Sequence, residues 1–245
     1  MKTTAIIVAA GSGSRFNSDI PKQFLELSGR PLITQTILRF VHARHVAAGI
    51  IVVVGREWLD FFGDAPYGRP FQIVEGGATR AESVFNGLKA VNPETEIVAV
   101  HDGARPLVSS NDIDRTIARA KETGAACLVA PVTDTVKTVC DGEITGTLDR
   151  NKLCRALTPQ VFKVELLRQA FELAELSDTV TDECYLVEQL GHPIATVEAT
   201  TPNIQVTTAD DLLVVAALYD EFLKSEFRLE QEDVTRRAYE LKSKS

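Results

Sequence analysis

Short runs of apolar, mostly β-branched residues alternate along this chain with segments whose apolar residues recur every three or four positions. The runs are TAIIVAA at 4–10, GIIVVV at 49–54, FQIVE at 71–75, EIVAVH at 96–101 and ACLVAPV at 126–132. Because these runs are apolar at nearly every position, they predict strands that are buried on both faces. The segments between them have the helical spacing of crossover helices. The pattern therefore predicts an α/β fold with a doubly wound, mostly parallel, Rossmann-like sheet.

The alternation ends after Val132, where two short strand-like pieces flank the pair Asp141-Gly142. An Asp-Gly pair between such pieces is a strong signal for a β-hairpin. We call residues 134–155, which contain this inserted hairpin, the arm. A hairpin inserted into a parallel fold either decorates the surface or reaches a partner, and the pattern alone favours neither.

The last third of the chain predicts further helices and strands. Helices are expected near 163–176, from the segment TVTDE to Gly191, and in a long C-terminal stretch, and strands are expected at IATVEA and NIQVT. Thr208 and Asp211 have the spacing of a capping box before the C-terminal helix. The many charged residues at 225–245 predict a solvated tail. No repeat or low-complexity linker divides the chain, so we expect a single domain over 1–245.

The composition disfavours several kinds of partner. The 245 residues include 26 basic and 34 acidic side chains, which gives a net charge of −8. Such a charge disfavours broad binding to nucleic acid, because that binding depends on neutralising phosphates. The apolar segment before Gly11 is too short for a signal peptide or a membrane span. We therefore expect a cytoplasmic protein that contacts neither nucleic acid nor membrane.

The stretch AAGSGSRFNSDIPKQF, residues 9–24, follows the first predicted strand and is typical of a phosphate-binding loop. Gly11 and Gly13 allow backbone N–H groups to approach phosphate oxygens. Arg15 and Lys22 add positive charge. A dinucleotide fingerprint is excluded because Phe16 replaces its third glycine, and the chain has no Gly-Lys-Ser or Gly-Lys-Thr of a Walker loop. The remaining interpretation is nucleotidyl transfer, with Lys22 at the charge that develops on the α-phosphate.

The segment GGATRAES, residues 76–83, follows the third predicted strand. Its two glycines allow a flat base to approach the backbone. Arg80 and Ser83 are three residues apart, so they share one side of the helix that begins there. The hydroxyl of Ser83 can bond the edge of a base. A plain Gly-Gly turn with a serine near the helix start is the alternative, and the pattern leaves both open.

The segment VAVHDGARP, residues 98–106, places Asp102 directly after a buried strand. A carboxylate at that position is costly unless it binds a cation, and we favour Mg²⁺ bridging the carboxylate and nucleotide phosphates. Arg105 is then available for a second anion. The alternative is an ion pair between Asp102 and Arg105 that stabilises the turn. His101 is expected to pack in the strand rather than act as a base.

Seven stretches together resemble one family of enzymes. They are AAGSGSRF with IPKQFLEL, GGATRAESV, HDGARPLV, DTVK, LDRNKLCRALTPQVF, TDE and NIQVTTADDL. In this order and spacing they resemble the 2-C-methyl-D-erythritol 4-phosphate cytidylyltransferase family of the non-mevalonate isoprenoid pathway. The resemblance covers about residues 4–220 and implies a nucleotidyltransferase fold. It also implies the reaction, in which the acceptor phosphate attacks the α-phosphorus of CTP in the presence of Mg²⁺ and pyrophosphate leaves.

The resemblance assigns roles to residues of this chain. With Gly13 and Arg80 added from the patterns above, the CTP-binding residues are Ala9, Ala10, Gly11, Gly13, Gly77, Arg80 and Ser83. The acceptor-binding residues are Arg105, Thr135, Arg150 and Thr181. The catalytic residues are Arg15, Lys22, Arg150 and Gln205, and the metal ligand is Asp102. In the family the arm embraces a second subunit and lends Thr135 and Arg150 to its site, so the resemblance implies a homodimer.

One position departs from the family pattern. The last motif usually reads Asn-Ile-Lys, whereas here Gln205 takes the place of the lysine. A neutral hydrogen bond contributes about 1 kcal/mol and a charge-assisted one about 1.5–3 kcal/mol, so acceptor binding or rate is expected to fall roughly tenfold. Two alternatives stay open: a cytidylyltransferase for another polyol phosphate such as ribitol 5-phosphate, and a non-catalytic homologue that binds CTP.

Overall fold

Strands and helices alternate along most of the chain. In the computed structural model, residues 1–11, 20–63, 68–174 and 180–242 are described, with side chains up to residue 226. The strands are β1 (Thr3–Ala9), β2 (Glu26–Leu27), β3 (Arg30–Pro31), β4 (Gly49–Val54), β5 (Phe71–Glu75), β6 (Ile97–Asp102), β7 (Ala125–Pro131), β8 (Lys137–Cys140), β9 (Glu143–Thr147), β10 (Cys154–Lys163) and β11 (Ala195–Glu198). The helices are α1 (Leu32–His42), α2 (Arg80–Lys89), α3 (Ser110–Thr123), α4 (Val164–Leu173), α5 (Glu183–Glu188) and α6 (Ala209–Lys242). Short 3-10 helices lie at Lys22–Phe24, Arg56–Trp58 and Arg150–Lys152.

The central sheet has seven strands in the order β11-β7-β10-β6-β1-β4-β5. β1 pairs in parallel with β4 and β6, β4 with β5, and β11 with β7, whereas β10 is antiparallel to both of its neighbours. All five strands that the apolar runs predict are present, so the mostly parallel α/β fold is confirmed. Val8 of β1 lies opposite Asp102, and Ala9 lies opposite Val54. The carboxyl ends of these strands therefore lie level at one edge of the sheet.

Two apolar layers cover the faces of the sheet. Successive residues of a strand point to opposite faces, and Ile7 of β1 packs with α1 and α3 while Ile6 packs with α2, α4 and α5. Both side chains are fully buried. A third cluster joins α6 to β2 and the start of α1, with Leu27 and Tyr219 among its buried members. This core fixes the strand ends from which the polar loops emerge.

Side-chain caps fix where the helices near the strand ends begin. Thr79 caps α2 in a capping box with Glu82. Asp182 caps α5 by accepting a hydrogen bond from a backbone N–H of the first turn. The capping box predicted for the C-terminal helix is present, because the N–H groups of Thr208 and Asp211 each donate to the other side chain. These caps satisfy backbone donors that a helix start leaves without intrahelical partners.

The strand expected at NIQVT, residues 203–207, is absent, so this prediction is wrong. Asn203 has a left-handed backbone with φ 42°, and its carbonyl accepts a hydrogen bond from Arg105. The N–H of Val206 donates to the carbonyl of Ala104 at 2.9 Å. The backbone of this segment is therefore satisfied by the loop after β6 rather than by a neighbouring strand.

The sequence pattern does not predict β10, a strand of ten residues. It lies between β6 and β7 and is antiparallel to both. Its pairing with β7 shifts register between Ala156 and Gln160, a stretch that contains Pro159. A proline within a run argues against a central strand, which explains why the sequence pattern does not predict β10.

The arm contains the predicted hairpin. β8 and β9 pair antiparallel around Asp141-Gly142 and form a separate two-stranded sheet. Val139 and Ile144 lie opposite each other in this hairpin, and both are exposed. The hairpin of the arm therefore stands apart from the apolar layers that cover the central sheet, whereas Cys154 and Arg155 at the end of the arm already belong to β10.

The helices predicted for the last third of the chain are present with different bounds. The helix expected near 163–176 is α4, and the helix expected from TVTDE to Gly191 is the short α5. The long C-terminal helix is α6, which continues to Lys242. Among the residues that the structure describes, none of the helices combines the length and apolar character needed to cross a membrane.

Candidate active site

Three loops meet at the edge of the sheet where β1, β5 and β6 end. Gly76, after β5, lies so close to Ala10 that a Cβ added at Gly76 would be 2.3 Å from the Cβ of Ala10. A Cβ added at Gly103, after β6, would lie 3.0 Å from the Cβ of Ala9. Such close approach leaves little room for a side chain, which explains the glycines. The structure thus brings GGATRAES and HDGARP up to the start of the first loop.

Lys22 is tied to the same edge through its neighbour Gln23. The buried Gln23 amide donates to the carbonyl of Ala9 at 2.5 Å and to the carbonyl of Gly11 at 2.9 Å. These bonds hold the short 3-10 helix that begins at Lys22 against the end of β1. The sequence interpretation missed Gln23, although it stands next to the motif lysine.

The turn at residues 77–83 is closed by its own hydrogen bonds. The N–H of Gly77 donates to Ser83 Oγ at 3.1 Å, and Ser83 Oγ donates to the carbonyl of Thr79 at 2.9 Å. The serine proton is therefore used within the turn, as in the alternative interpretation. One lone pair of this buried hydroxyl is left for a donor. Binding of a base by Gly77 and Ser83 stays a prediction.

Asp102, the last residue of β6, is held by two arginines. Its Oδ1 accepts from Arg80 Nε at 3.1 Å and from Arg80 Nη2 at 3.0 Å, and its Oδ2 accepts from Arg105 Nε at 3.0 Å. Burial by itself raises the pKa of this carboxyl, but Arg80 and Arg105 outweigh it and hold the pKa of Asp102 well below its usual value. The carboxylate is thus ionised at neutral pH. The ion pair with Arg105, which the sequence left as an alternative, is present.

Glu183 is a second carboxylate on the same arginine. It is fully buried at the start of α5, and its two oxygens accept from Arg80 Nη1 at 2.7 Å and from Arg80 Nη2 at 3.2 Å. Burial raises the pKa of Glu183, and Arg80 opposes that shift. The sequence interpretation missed this residue because one acidic residue in the polar stretch TDE gives no sign of burial.

His101 and Thr158 fix the backbone beneath Asp102. His101 is fully buried, and burial lowers its pKa to about 4, so the imidazole is neutral at pH 7. The carbonyl of Arg105 can only accept, so His101 Nε2, 3.2 Å away, carries the ring proton. His101 Nδ1 then accepts from Thr158 Oγ1 at 2.9 Å, and the same hydroxyl accepts from the N–H of Asp102. His101 therefore packs in the strand, as expected.

Arg105 reaches from the loop after β6 to the segment NIQVT. Its Nη1 donates to the carbonyl of Asn203 at 2.9 Å, and its Nη2 donates to Gln205 Oε1 at 3.2 Å. A guanidinium has no acceptor, so Gln205 must present its oxygen to Arg105 and its Nε2 donors elsewhere. Gln205 Nε2 meets no acceptor among the described residues. Gln205 therefore anchors Arg105 through its oxygen, and its role toward a substrate stays a prediction.

These contacts form one continuous chain of side chains, which we call the Glu183–Gln205 network. It leads from Glu183 through Arg80, Asp102 and Arg105 to Gln205. Two carboxylates alternate with two guanidinium groups, so their formal charges cancel. Such pairing offsets the cost of burying charge, and each arginine keeps N–H donors that the network does not use. The arrangement is suited to binding two anionic groups, one at each arginine.

The fit of a metal ion depends on Asp102. The residues that the structure describes contain no group of three or more histidine, cysteine, aspartate or glutamate side chains able to hold a metal. A Mg²⁺ ion in a nucleotide site needs few protein ligands, because phosphates and water supply the others. Oδ2 of Asp102 accepts one hydrogen bond from the described residues, which leaves a lone pair on an ionised oxygen. The donor set is therefore compatible with one Mg²⁺ that a bound triphosphate shares.

Other candidate residues are not brought together with this network. Thr135, Arg150 and Thr181 are exposed, and Arg150 Nη1 donates to a backbone carbonyl at 2.6 Å. Within the described parts of the chain, no hydrogen bond or ion pair joins these three residues to the network. Gly13 and Arg15 lie outside the described residues. The roles of all five stay predictions.

Residues 3–221 match the family model described as IspD, 2-C-methyl-D-erythritol 4-phosphate cytidylyltransferase. A curated protein of that name from Bacillus licheniformis is 39% identical over 230 residues, which cover 92% of this chain and 99% of the relative. Another of that name, from Endomicrobium trichonymphae, is 41% identical over 226 residues, which cover 92% of this chain and 100% of the relative. The similarity thus extends over nearly the whole of each protein.

Solved structures agree with these sequences. The 4-diphosphocytidyl-2C-methyl-D-erythritol synthase from Anaerococcus prevotii matches with a TM-score of 0.79 and 30% identity, covering 89% of this chain and 98% of that one. The 2-C-methyl-D-erythritol 4-phosphate cytidylyltransferase from Thermus thermophilus matches with a TM-score of 0.70 and 33% identity, covering 89% and 98%. Fold and sequence agree, and the chain belongs to the 2-C-methyl-D-erythritol 4-phosphate cytidylyltransferase family of nucleotidyltransferases.

Proposed function

We propose that this chain transfers a cytidylyl group from CTP to 2-C-methyl-D-erythritol 4-phosphate. An oxygen of the acceptor phosphate bonds to the α-phosphorus and the bond to the β-phosphate oxygen breaks. Pyrophosphate leaves, and CDP-methylerythritol, an isoprenoid precursor, is the other product. Family membership supports the reaction. The observation that carries the proposal is the pair of arginines, Arg80 and Arg105, on the two oxygens of Asp102 at the strand ends.

Arg80 is assigned to the nucleotide. It is the first residue of α2, directly after the turn at residues 77–83, and the N-terminus of a helix favours phosphate. Four of the five N–H groups of its guanidinium bond Asp102 and Glu183, which leaves one on Nη1. The side chain is 32% exposed. A phosphate oxygen of CTP therefore has a charged donor, while the loops at Gly11 and Gly77 receive the cytidine.

Arg105 is assigned to the acceptor phosphate. Three of its N–H groups bond Asp102, Asn203 and Gln205, which leaves one on Nη1 and one on Nη2. Gln205 Nε2 adds two further donors beside them. Hydrogen bonds from a guanidinium to phosphate are charge-assisted and therefore among the stronger ones. In this chain the glutamine supports the arginine from the position where the family usually has a lysine.

Lys22 is assigned to the reacting phosphates. Its neighbour Gln23 holds the short 3-10 helix at the end of β1, beside the loop that is expected to receive the triphosphate. An ammonium group at this point stabilises charge as it develops on the α-phosphate. Arg15 is assigned the same task by the family resemblance.

Mg²⁺ is part of the proposal, with Asp102 as the protein ligand. When bound, the ion neutralises charge on the triphosphate and on the leaving pyrophosphate. Asp102 is suited to this role because Arg80 and Arg105 keep its pKa low and its carboxylate ionised. The same carboxylate orients both arginines. Through them it acts on CTP and on the acceptor, without contacting the acceptor or the base of CTP.

A homodimer through the arm is also part of the proposal. Val139 is 63% exposed and Ile144 is 67% exposed. An isolated two-stranded hairpin has marginal stability in water, and contiguous exposed apolar side chains mark interaction surfaces. In the dimer, Thr135 and Arg150 of the arm, with Thr181, complete the acceptor site. A cytoplasmic location stays a prediction from composition.

The test is a pyrophosphate-release assay with purified protein, CTP and Mg²⁺. The acceptors 2-C-methyl-D-erythritol 4-phosphate and ribitol 5-phosphate are supplied separately, and we expect release with the first alone. Release with ribitol 5-phosphate alone would show an enzyme for another polyol phosphate. Release with neither, while calorimetry still detects CTP binding, would show a non-catalytic homologue.

Lys22→Ala is the matched inactive variant for this assay. We expect kcat to fall about 10²–10³-fold, as when a group that stabilises transition-state charge is removed. Lys2→Ala changes an exposed lysine near the other end of β1 and is expected to retain wild-type turnover. Equal turnover of the two variants would contradict the assignment of Lys22.

A further inference from the structure

Glu183 is the fully buried end of the Glu183–Gln205 network. Both of its oxygens accept hydrogen bonds from Arg80, at 2.7 Å and 3.2 Å. A buried carboxylate without a counter-charge is costly, and a two-point contact with a guanidinium fixes direction as well as charge. Because none of its surface is accessible, Glu183 does not contact a substrate, and the hydrogen bonds of its carboxylate go to Arg80.

Arg80 is shared between two carboxylates on different elements. Asp102 on β6 bonds it through Oδ1 alone, whereas Glu183 on α5 bonds it through both oxygens. Arg80 Nη2 donates to both carboxylates, so the plane of the guanidinium is set from two sides. The side chains are 32% exposed for Arg80, 12% for Asp102 and 0% for Glu183. Arg80 is therefore the member of the three that faces a ligand.

Loss of the Glu183 charge would leave Arg80 with Asp102 as its one carboxylate in the described part of the chain. A guanidinium that is released on one side can form a fork with both oxygens of a single carboxylate. In that arrangement Arg80 also donates to Oδ2 of Asp102, the oxygen that accepts from Arg105 in the structure. The N–H on Arg80 Nη1 that is open to a ligand then also changes direction.

We propose that Glu183 is a positioning residue for the nucleotide. It holds the Arg80 guanidinium so that the remaining N–H on Nη1 can donate to a phosphate oxygen of CTP, and it keeps Arg80 away from Oδ2 of Asp102. The inference rests on the proposed function, which assigns Arg80 to CTP. A purely structural role, joining α5 to α2, would change stability without changing the affinity for one substrate.

The experiment is a double-mutant cycle on CTP affinity, measured by calorimetry with Mg²⁺. Its members are Glu183→Gln, Arg80→Gln and the double variant, and Glu188→Gln on the exposed side of α5 is the control. We expect Glu183→Gln to weaken CTP binding about tenfold, as for loss of a charge-assisted contact, with the acceptor KM within about twofold of wild type. In the Arg80→Gln background, Glu183→Gln has no further effect if it acts through Arg80. The control retains wild-type affinity.

Two results would overturn the inference: CTP affinity that is unchanged in Glu183→Gln, or the same loss in both backgrounds. Arg80→Lys covers the case in which Glu183→Gln does not fold, because it keeps the charge and removes the two-point contact. We expect Arg80→Lys to bind CTP about tenfold more weakly, and wild-type affinity would again overturn the inference. Failure of the wild-type protein itself to bind CTP would refute the proposed function instead.

Discussion

At the strand ends, the Asp102 side chain is 12% exposed, that of Glu183 is 0% exposed, and arginine partners pair both carboxylates within the chain. In the arm, Val139 is 63% exposed and Ile144 is 67% exposed, and each lies opposite the other. The first region buries charge and pairs it, whereas the second exposes apolar surface. Charges that are paired within one chain do not need a second chain, but exposed apolar side chains gain stability from one.

The comparison separates two parts of the proposed site. The network from Glu183 to Gln205 is assembled in a single chain, so it can orient the two arginines without a partner. Thr135 and Arg150 lie in the exposed arm and have no contact with the network among the described residues. We therefore expect changes at either end of the network to alter the affinity for one substrate, and changes in the arm to alter assembly.

Among the changes that test this comparison, the largest effect is expected from charging the tip of the arm. In the double variant, Val139→Asp and Ile144→Lys, the two new side chains form a cross-strand ion pair, so the hairpin is preserved. The same two side chains place charge in the apolar contact proposed for the dimer. We expect sedimentation to show a monomer and turnover to fall about a hundredfold, because the acceptor loses charge-assisted bonds from the partner's arm. The monomer is expected to unfold cooperatively, at a lower temperature than the wild-type dimer because it lacks the stabilisation that the second chain supplies.

Leu173→Asp is the control for the arm variant, since it changes a leucine on α4 that is at least as exposed, at 71%. This control is expected to remain a dimer with wild-type turnover. An arm variant that stays dimeric would show that the interface lies elsewhere. A wild-type protein that sediments as a monomer while turning over would show that the site is complete in one chain.

A smaller effect, confined to one substrate, is expected at Gln205. Gln205→Met removes the acceptor for Arg105 Nη2 and the two N–H groups of Nε2. We expect the acceptor KM to rise about tenfold, as for loss of a hydrogen bond to an ionised group, with the KM for CTP unchanged. Gln205→Glu keeps the acceptor for Arg105 but replaces the donors by a negative charge, so it is expected to raise the acceptor KM further.

Gln72→Met on β5 is the control, because it changes an exposed glutamine away from the network. Steady-state kinetics with each substrate varied in turn separates the outcomes. An acceptor KM that Gln205→Met leaves at the wild-type value would remove Gln205 from the acceptor site. A Gln205→Glu variant with wild-type KM would show that Nε2 does not face the phosphate.

The parallel part of the fold is predictable from sequence because burial on both faces leaves an uninterrupted apolar run. β1 and β4 are of this kind, and their bounds differ little from those expected. β10 is not, since its run contains Pro159 and polar residues, and it is held in the sheet by pairing with β6 and β7. The segment NIQVT shows the converse: it has the sequence pattern of a strand but forms none, because its backbone hydrogen bonds go to Arg105 and Ala104.

The residues of the candidate site also divide into those that the sequence predicts and those that it does not. Asp102 is predictable because a carboxylate directly after a buried strand must find a cation. Glu183 and Gln23 are not predictable, since their burial arises from contacts with residues distant in sequence, Arg80 and Ala9. Local patterns thus identify charged groups at the strand ends, and the folded chain is needed to identify the groups that hold them in place.

The smallest effect on turnover, and a distinct effect on stability, is expected from His101→Gln. Burial lowers the pKa of His101 from 6.5 to about 4. Between pH 4 and pH 6.5 the unfolded chain binds a proton that the folded chain does not. The contribution of His101 to the free energy of unfolding is therefore fully present above pH 6.5 and is lost as the pH falls towards 4. The shift corresponds to roughly 3 kcal/mol of unfolding free energy. Urea unfolding of wild type and His101→Gln across this range isolates that slope, with exposed His42→Gln as the control. Equal slopes in wild type and His101→Gln would contradict the assignment of this pH dependence to the buried ring.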